Sequence, residues 1–184
     1  PSEAQRFLRS LKDYILAVCK EAEDRDVKHV QGIREYLTIR QGSAASEVIF
    51  LLALLDLDIS DEVMKHPTVW KLTDLGMDLI CIHNISLSSH GLHGHNLVMA
   101  MMQEKRLGIQ DAITYSGEMF HNTAQEFMQT IQNLPHFTPE DGNELREHTL
   151  SMTNWIVALD EWSLLTLQYF GNQRFQIRQT RMIE

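Results

Sequence analysis

The sequence predicts an all-α protein, and three observations carry that prediction. Apolar residues recur at three- and four-residue steps through most of the 184-residue chain, the spacing that gathers them on one face of a helix. No run alternates apolar and polar residues between turn signals as a half-buried strand would. Only 4 Pro and 9 Gly punctuate the chain, few enough to leave long uninterrupted helical segments. A bundle of about six helices follows.

The first helix is marked by Phe7, Leu8, Leu11, Tyr14, Ile15, Val18, Cys19 and Ala22, which share one face. It should end near the charged run Glu21 to Asp26, read as a solvated helix end. A second helix runs through Ile33, Tyr36, Leu37 and Ile39, breaks at Gln41-Gly42-Ser43, and resumes from Val48 to Leu55. The resumed part is apolar all round and is expected to be central. Asp61 is the expected N-cap of a third helix bearing Trp70, Leu72, Leu75, Leu79, Ile80 and Ile82, with His66-Pro67 breaking off its first turn. After a Gly- and His-rich loop from Ser88 to Gly94, a short helix holds Leu97 to Met102. An amphipathic helix from Ile109 to Ile131 stops before Pro135, and a last one starts near Pro139 and reaches Tyr169.

Composition narrows the function classes. The formal net charge is -9, from 25 acidic and 16 basic residues, which disfavours the clustered cations that phosphate-backbone binding requires. Nucleic acid is therefore an unexpected partner. Arg174, Arg178 and Arg181 make the nearest approach to a basic patch, in a polar tail over 172–184 that reads as a solvated extension of a single domain over 1–171. Cys19 and Cys81 lie in apolar stretches without metal or disulfide spacing and are expected as buried thiols. No signal peptide and no 18-residue apolar run is evident, so a cytoplasmic location without a membrane span is expected.

Local sequences add a resemblance spread over almost the whole chain. Glu21-Ala22-Glu23-Asp24-Arg25, Tyr36 to Arg40, His66-Pro67, Asn84, His95-Asn96-Leu97-Val98, Asn154-Trp155, Trp162-Ser163 and Tyr169-Phe170-Gly171 follow one another as similar elements do in the C-terminal half of fungal class I sesquiterpene synthases. The resemblance implies the class I terpenoid synthase fold and a chemistry in which magnesium and basic side chains take up the charge of a departing diphosphate. It also implies that the family's aspartate-rich half is not represented.

The family's second metal motif, NDxxSxxxE, falls on Asn84. Asn84 and Ser88 keep their places, but Ile85 stands where the Asp is expected and Leu92 where the Glu is expected. No Asp or Glu occurs anywhere from Leu79 to Gln103. Magnesium demands a near-octahedral set of oxygen ligands, and two neutral oxygens do not supply it. Arg40 resembles the diphosphate-sensing arginine, yet its neighbour is Gln41, and the closing Arg-Tyr pair has become Gln168-Tyr169. Gln cannot replace the permanent charge and two-pronged donor geometry of Arg.

Other carboxylates offer weak replacements. Asp74 and Asp78 form an i, i+4 pair upstream of Asn84, whereas the acids from Asp56 to Glu62 read as a turn and cap. His90, His93 and His95, with His83, have spacings that could suit zinc or nickel, but no Cys or carboxylate completes a set, and exposed loop histidines are the plainer reading.

The expectation is therefore a catalytically degenerate terpene-synthase-like protein, with no resident cofactor and magnesium only if cyclase activity persists. It would hold a small apolar or isoprenoid ligand near Phe50, Cys81, Trp155 and Trp162, or act in protein interaction, and a homodimer is expected to cover exposed apolar faces. The diphosphate- and metal-site remnants are Arg40, Asn84, Ser88 and Tyr169. Two alternatives are a residual magnesium-dependent cyclase and a fungal defence protein such as a ribosomal RNA N-glycosylase.

Overall fold

A computed structural model describes residues 3–26, 31–55, 57–86, 97–167 and 171–180. Among these the secondary structure is helical: α1 (Glu3–Asp26), α2 (Ile33–Ser43), α3 (Ser46–Leu52), α4 (Asp61–Met64), α5 (Pro67–Ser86), α6 (Leu97–Lys105), α7 (Ile109–Gln132), α8 (Pro139–Leu165) and α9 (Arg174–Thr180), the last after a 3-10 turn at Gly171–Gln173. The all-α expectation holds, with three more helices among the described residues than the expected six.

Each extra helix has a local cause. The second helix is split at Ala45, whose φ of 56° and ψ of 24° are left-handed. The break falls after Gln41-Gly42-Ser43 rather than within it. Gly42 stays helical because it is needed for packing: a Cβ there would lie 2.7 Å from the Ala17 Cβ of α1. Pro67, which suits a first helical position, starts α5 and leaves α4 as a separate turn. The N-cap of α4 is Ser60, whose side chain accepts from the Val63 N–H, so Asp61 is the first helical residue instead of the cap. Asp61 is committed elsewhere, to ion pairs with Arg6 of α1 and Lys65. The third addition is α9, where Ile177 is buried and Arg178 pairs with Glu161 of α8 at 2.8 Å. That part of the basic tail forms a helix that packs on α8 through Ile177, with most of its other residues exposed.

Gly42→Val should force α1 and α2 apart, because the opposing Ala17 Cβ has no torsion by which to move aside. Overpacking of this kind costs about 1–3 kcal/mol. A urea midpoint lowered accordingly is the expected result, and an unchanged midpoint would remove the close α1–α2 crossing.

The core has three parts. Tyr36 and Leu37 of α2, Cys81 and Ile82 of α5 and Met101 of α6 form one cluster. Phe50 of α3, Leu72 and Leu79 of α5, Phe127 of α7 and Met152 of α8 form the second. Leu54, Ile59, Val63, Val69 and Leu145 form the third. The expectation of a central α3 is met by Phe50, while Leu52 and Leu55 face outward.

The apolar face of α1 is a larger departure. Leu8, Ile15, Leu16 and Val18 are exposed, and so is Cys19, which was expected to be buried. The bundle instead meets the small and polar face of α1, through Ser10, Ala17, Glu21 and Asp24. Interhelical hydrogen bonds and a close crossing, not hydrophobic burial, set the orientation of α1.

Candidate functional site

Arg40, which resembles the diphosphate-sensing arginine, lies where α1, α2 and α5 converge. Arg40, near the end of α2, is half-buried. Its Nη1 donates to Glu21 Oε1 at 3.4 Å, and the Ser43 hydroxyl donates to the same carboxylate oxygen. Burial opposes the guanidinium charge, but Tyr36 and Glu21 outweigh it and hold the Arg40 pKa above its ordinary value. Burial likewise pushes the Tyr36 phenol up and raises the Cys81 thiol to about 12. The site thus offers one fixed positive charge, an un-ionised phenol and an un-ionised thiol.

The acidic end of α1 is part of this arrangement, contrary to the expectation of a solvated helix end. Glu21 positions Arg40. Asp24 is only 3% exposed, pairs with Lys20 at 2.8 Å and accepts from Gln31 Nε2 at 2.6 Å.

Gln41 has a role that its reading as a lost arginine did not reveal. Its Nε2 donates to Asp74 Oδ1 at 3.0 Å and to Asp78 Oδ1 at 2.9 Å, bridging successive turns of α5 from α2. Burial, then repulsion from Asp74, raises the Asp78 pKa to about 6, against the lowering effect of the Gln41 hydrogen bond. Two carboxylates around one amide form a neutral-donor clamp. Among the described residues no group of three or more His, Cys, Asp or Glu is placed to hold a metal ion.

Asn84 lies in the last turn of α5, while Ser88, Tyr169 and the loop histidines His90, His93 and His95 fall outside the described residues. His83, one position before Asn84, has Nε2 3.9 Å from Asp160 Oδ1 of α8.

The four positions expected to surround an apolar ligand are dispersed. Phe50 and Cys81 are buried in separate core clusters. Trp155 and Trp162 are 47% and 49% exposed on α8. Trp155 overlooks an open groove of about 450 Å³ with Leu52 and Ala53, which neither Phe50 nor Cys81 lines. Helical periodicity places a residue on a face of its own helix, but the neighbour of that face depends on how helices cross.

A different, more enclosed cavity of about 270 Å³ lies between α1, α3, α4, α5 and α8, and Phe50 and His148 are in its wall. His148 is 1% exposed, its Nδ1 has no hydrogen-bond partner among the described residues, and burial lowers its pKa to about 4. Sequence reasoning passed over this residue. The available signal was a lone His between Leu145 and Met152 on the inward face of α8.

The fold defines the class of protein. The chain superposes on the crystal structure of α-eudesmol synthase with a TM-score of 0.81 and 20% identity, covering 90% of this chain and 56% of that one. With linalool/nerolidol synthase from Streptomyces clavuligerus the TM-score is 0.82 at 16% identity, over 89% of this chain and 59% of the other. These likenesses establish the class I terpenoid synthase fold.

Sequence then places the chain within it. Residues 1–126 match the family model described as terpene synthase family 2, C-terminal metal binding, and the chain belongs to that family. Over its full length it is 33% identical to a Delta(6)-protoilludene synthase from Hypholoma sublateritium, covering 58% of that protein. It is 30% identical to a sesquiterpene synthase from Cyclocybe aegerita, with 97% of this chain and 52% of the relative covered. The chain spans about half the length of the curated relatives it matches. No helix among the described residues is long and apolar enough to cross a membrane.

Proposed function

We propose that this protein keeps the terpene synthase fold without magnesium-dependent ionisation of a prenyl diphosphate, and that it binds a small apolar or isoprenoid molecule unchanged. The observation that carries this reading is the acid-free run from Leu79 to Gln103. It contains Asn84, Ile85, Ser88 and Leu92, where the motif it resembles alternates neutral and charged oxygen donors. A catalytic magnesium ion is held by carboxylates together with substrate phosphates, and Asn and Ser supply neither charge nor enough oxygens.

The clamp on α5 supports the same reading. Asp74 and Asp78 are the nearest carboxylates upstream of Asn84 on that helix, and both accept from Gln41. The raised pKa of Asp78 has burial as its first cause, a setting that disfavours added charge. Arg40 remains able to attract an anion, but it is already engaged with Glu21.

A second reading, residual cyclase activity, is favoured by the 33% identity to a Delta(6)-protoilludene synthase across the chain. Incubation with farnesyl diphosphate and magnesium, followed by gas chromatography and mass spectrometry, separates the two. No terpene above the buffer control is expected, and magnesium with inorganic diphosphate should leave the thermal midpoint unchanged. A terpene product that Asn84→Ala abolishes would overturn the proposal in favour of the cyclase.

A further inference from the structure

The outward face of α1 carries Leu8, Leu11, Ile15, Val18 and Ala22 at alternating three- and four-residue steps. That is the spacing of a heptad seam, which pairs two helices side by side. Leu8, Ile15 and Val18 are 62%, 53% and 38% exposed, because the helix packs on α2 and α3 through its opposite face. We infer that a second copy of this chain covers the seam, with the two α1 helices antiparallel across a two-fold axis.

Charge selects both the partner and its direction. Arg9 and Lys12 are exposed in the N-terminal half of α1, and Glu23 and Asp26 are exposed in its C-terminal half. Arg9 and Glu23, like Lys12 and Asp26, are two heptads apart, so each acid holds the same heptad position as its cation. A two-fold axis near the middle of the helix reverses one copy and lays the cationic half of each along the acidic half of the other. A parallel pair would set like charges together, which disfavours it.

The remaining charges of α1 do not blur this pattern. Arg6, Glu21 and Asp24 are engaged with Asp61, Arg40 and Gln31 of their own bundle. Asp13 and Lys20 occupy the heptad position farthest from the seam. The outward face is thus complementary to itself reversed, which is what an interface between identical copies requires.

Burial supplies the driving force. Within its own bundle α1 makes contact through Ser10, Ala17, Glu21 and Asp24, a small and polar set. The apolar area that this helix leaves in water is therefore removed only by an outside partner. From Leu8 to Ala22 the seam runs about 21 Å, four helical turns. Pairing also steadies the helix whose other face carries Glu21, the partner of Arg40.

This inference goes beyond the proposed loss of ionisation and does not depend on it. A terpene product in the assay above would sink the earlier reading and leave this interface standing.

Sedimentation equilibrium of the intact chain tests the pairing, in reducing buffer so that exposed Cys19 cannot cross-link. A dimer is expected at about 20 μM protein. Raising the salt from about 0.05 to about 0.5 M should weaken it about tenfold, as the opposed charges are screened. Ile15→Asp, placed mid-seam at an exposed position, should give a monomer whose helicity by circular dichroism is unchanged. Arg9→Glu with Lys12→Glu should weaken the dimer about tenfold, and adding Glu23→Lys with Asp26→Lys should restore it. A monomeric native chain at about 20 μM would overturn the proposal and leave the face to a different polypeptide. So would a dimer untouched by Ile15→Asp, one that tightens as salt rises, or a charge swap that fails to restore association.

Discussion

Phe50→Ala is expected to lower the stability of this protein by about 4 kcal/mol, in the range measured for large-to-small substitutions of buried aromatics. The ring is 1% exposed and joins α3 to α5, α7 and α8 through Leu72, Phe127 and Met152. It fits so closely because position 76 is glycine. A Cβ there would lie 3.2 Å from Phe50 Cε2 and 3.5 Å from Phe127 Cε2, so α5 passes both rings only where it lacks a side chain.

Truncating the ring leaves a void that this tight surround cannot close, and the void would open into the cavity beside His148. Against a typical total of about 5–15 kcal/mol, such a loss leaves a marginal protein. A urea transition shifted by that amount, or no cooperative transition at all, is the expected outcome. Phe50→Leu should lose about half as much and provides a folded control. A cost below about 1 kcal/mol for the alanine variant would contradict the packing.

The second large effect is a pair of opposed pH dependences that conceal each other in the native protein. Asp78 has a folded pKa of about 6, above its ordinary 3.8. The folded state therefore binds the Asp78 proton more tightly than the unfolded state, and stability is lost as pH rises between these values. His148 runs the other way. Its folded pKa of about 4 lies below its ordinary 6.5, so the unfolded state takes up the proton first and stability is lost as pH falls from 6.5 towards 4.

Each shift is worth roughly 3 kcal/mol at 1.36 kcal/mol per pH unit. Across the shared window the two slopes nearly cancel. Asp78→Asn should stabilise the protein by up to about 3 kcal/mol at pH 7 and by little at pH 3.5, whereas His148→Phe should stabilise it most near pH 4 and by little at pH 7. Denaturant titrations of both variants and the native chain at intervals from pH 3.5 to 7.5 would check this. Variant-minus-native differences with the same slope for both would refute the assignment.

Gln41 shows why part of the site was illegible in the sequence. Read along the chain, it marks an arginine that is absent from a family pattern. In space it is the donor shared by a buried carboxylate, Asp78, and a half-buried one, Asp74. The Asp74–Asp78 spacing was visible as an i, i+4 pair, but its partner lies more than thirty positions upstream on another helix, at a separation no local rule spans. The same holds for Glu104, whose Oε2 accepts the Ile33 N–H at 2.8 Å and caps α2 from the far end of α6. The cap comes from a distant helix, so no capping residue at the start of α2 could announce it.

The helices and most of their ends were legible because helix formation obeys short-range rules. Apolar spacing identified α5, α7 and α8, His66-Pro67 marked a break ahead of α5, and Pro139 marked the start of α8. The family was legible for a related reason: its local elements sit in order along one chain and need no folding to be compared. The sequence also determined that Ile85 and Leu92 stand at positions where the resembled motif has acids.

Only the tertiary structure decided which faces meet. It turned the apolar face of α1 outward while its small and polar face crossed α2 at Gly42. It also dispersed Phe50, Cys81 and Trp155 into different surroundings, and buried His148 of α8 against α1, α3, α4 and α5. Periodicity specifies a direction around one helix axis, whereas contacts depend on the angle and closeness with which two axes cross, and these are set jointly by side chains far apart in the chain.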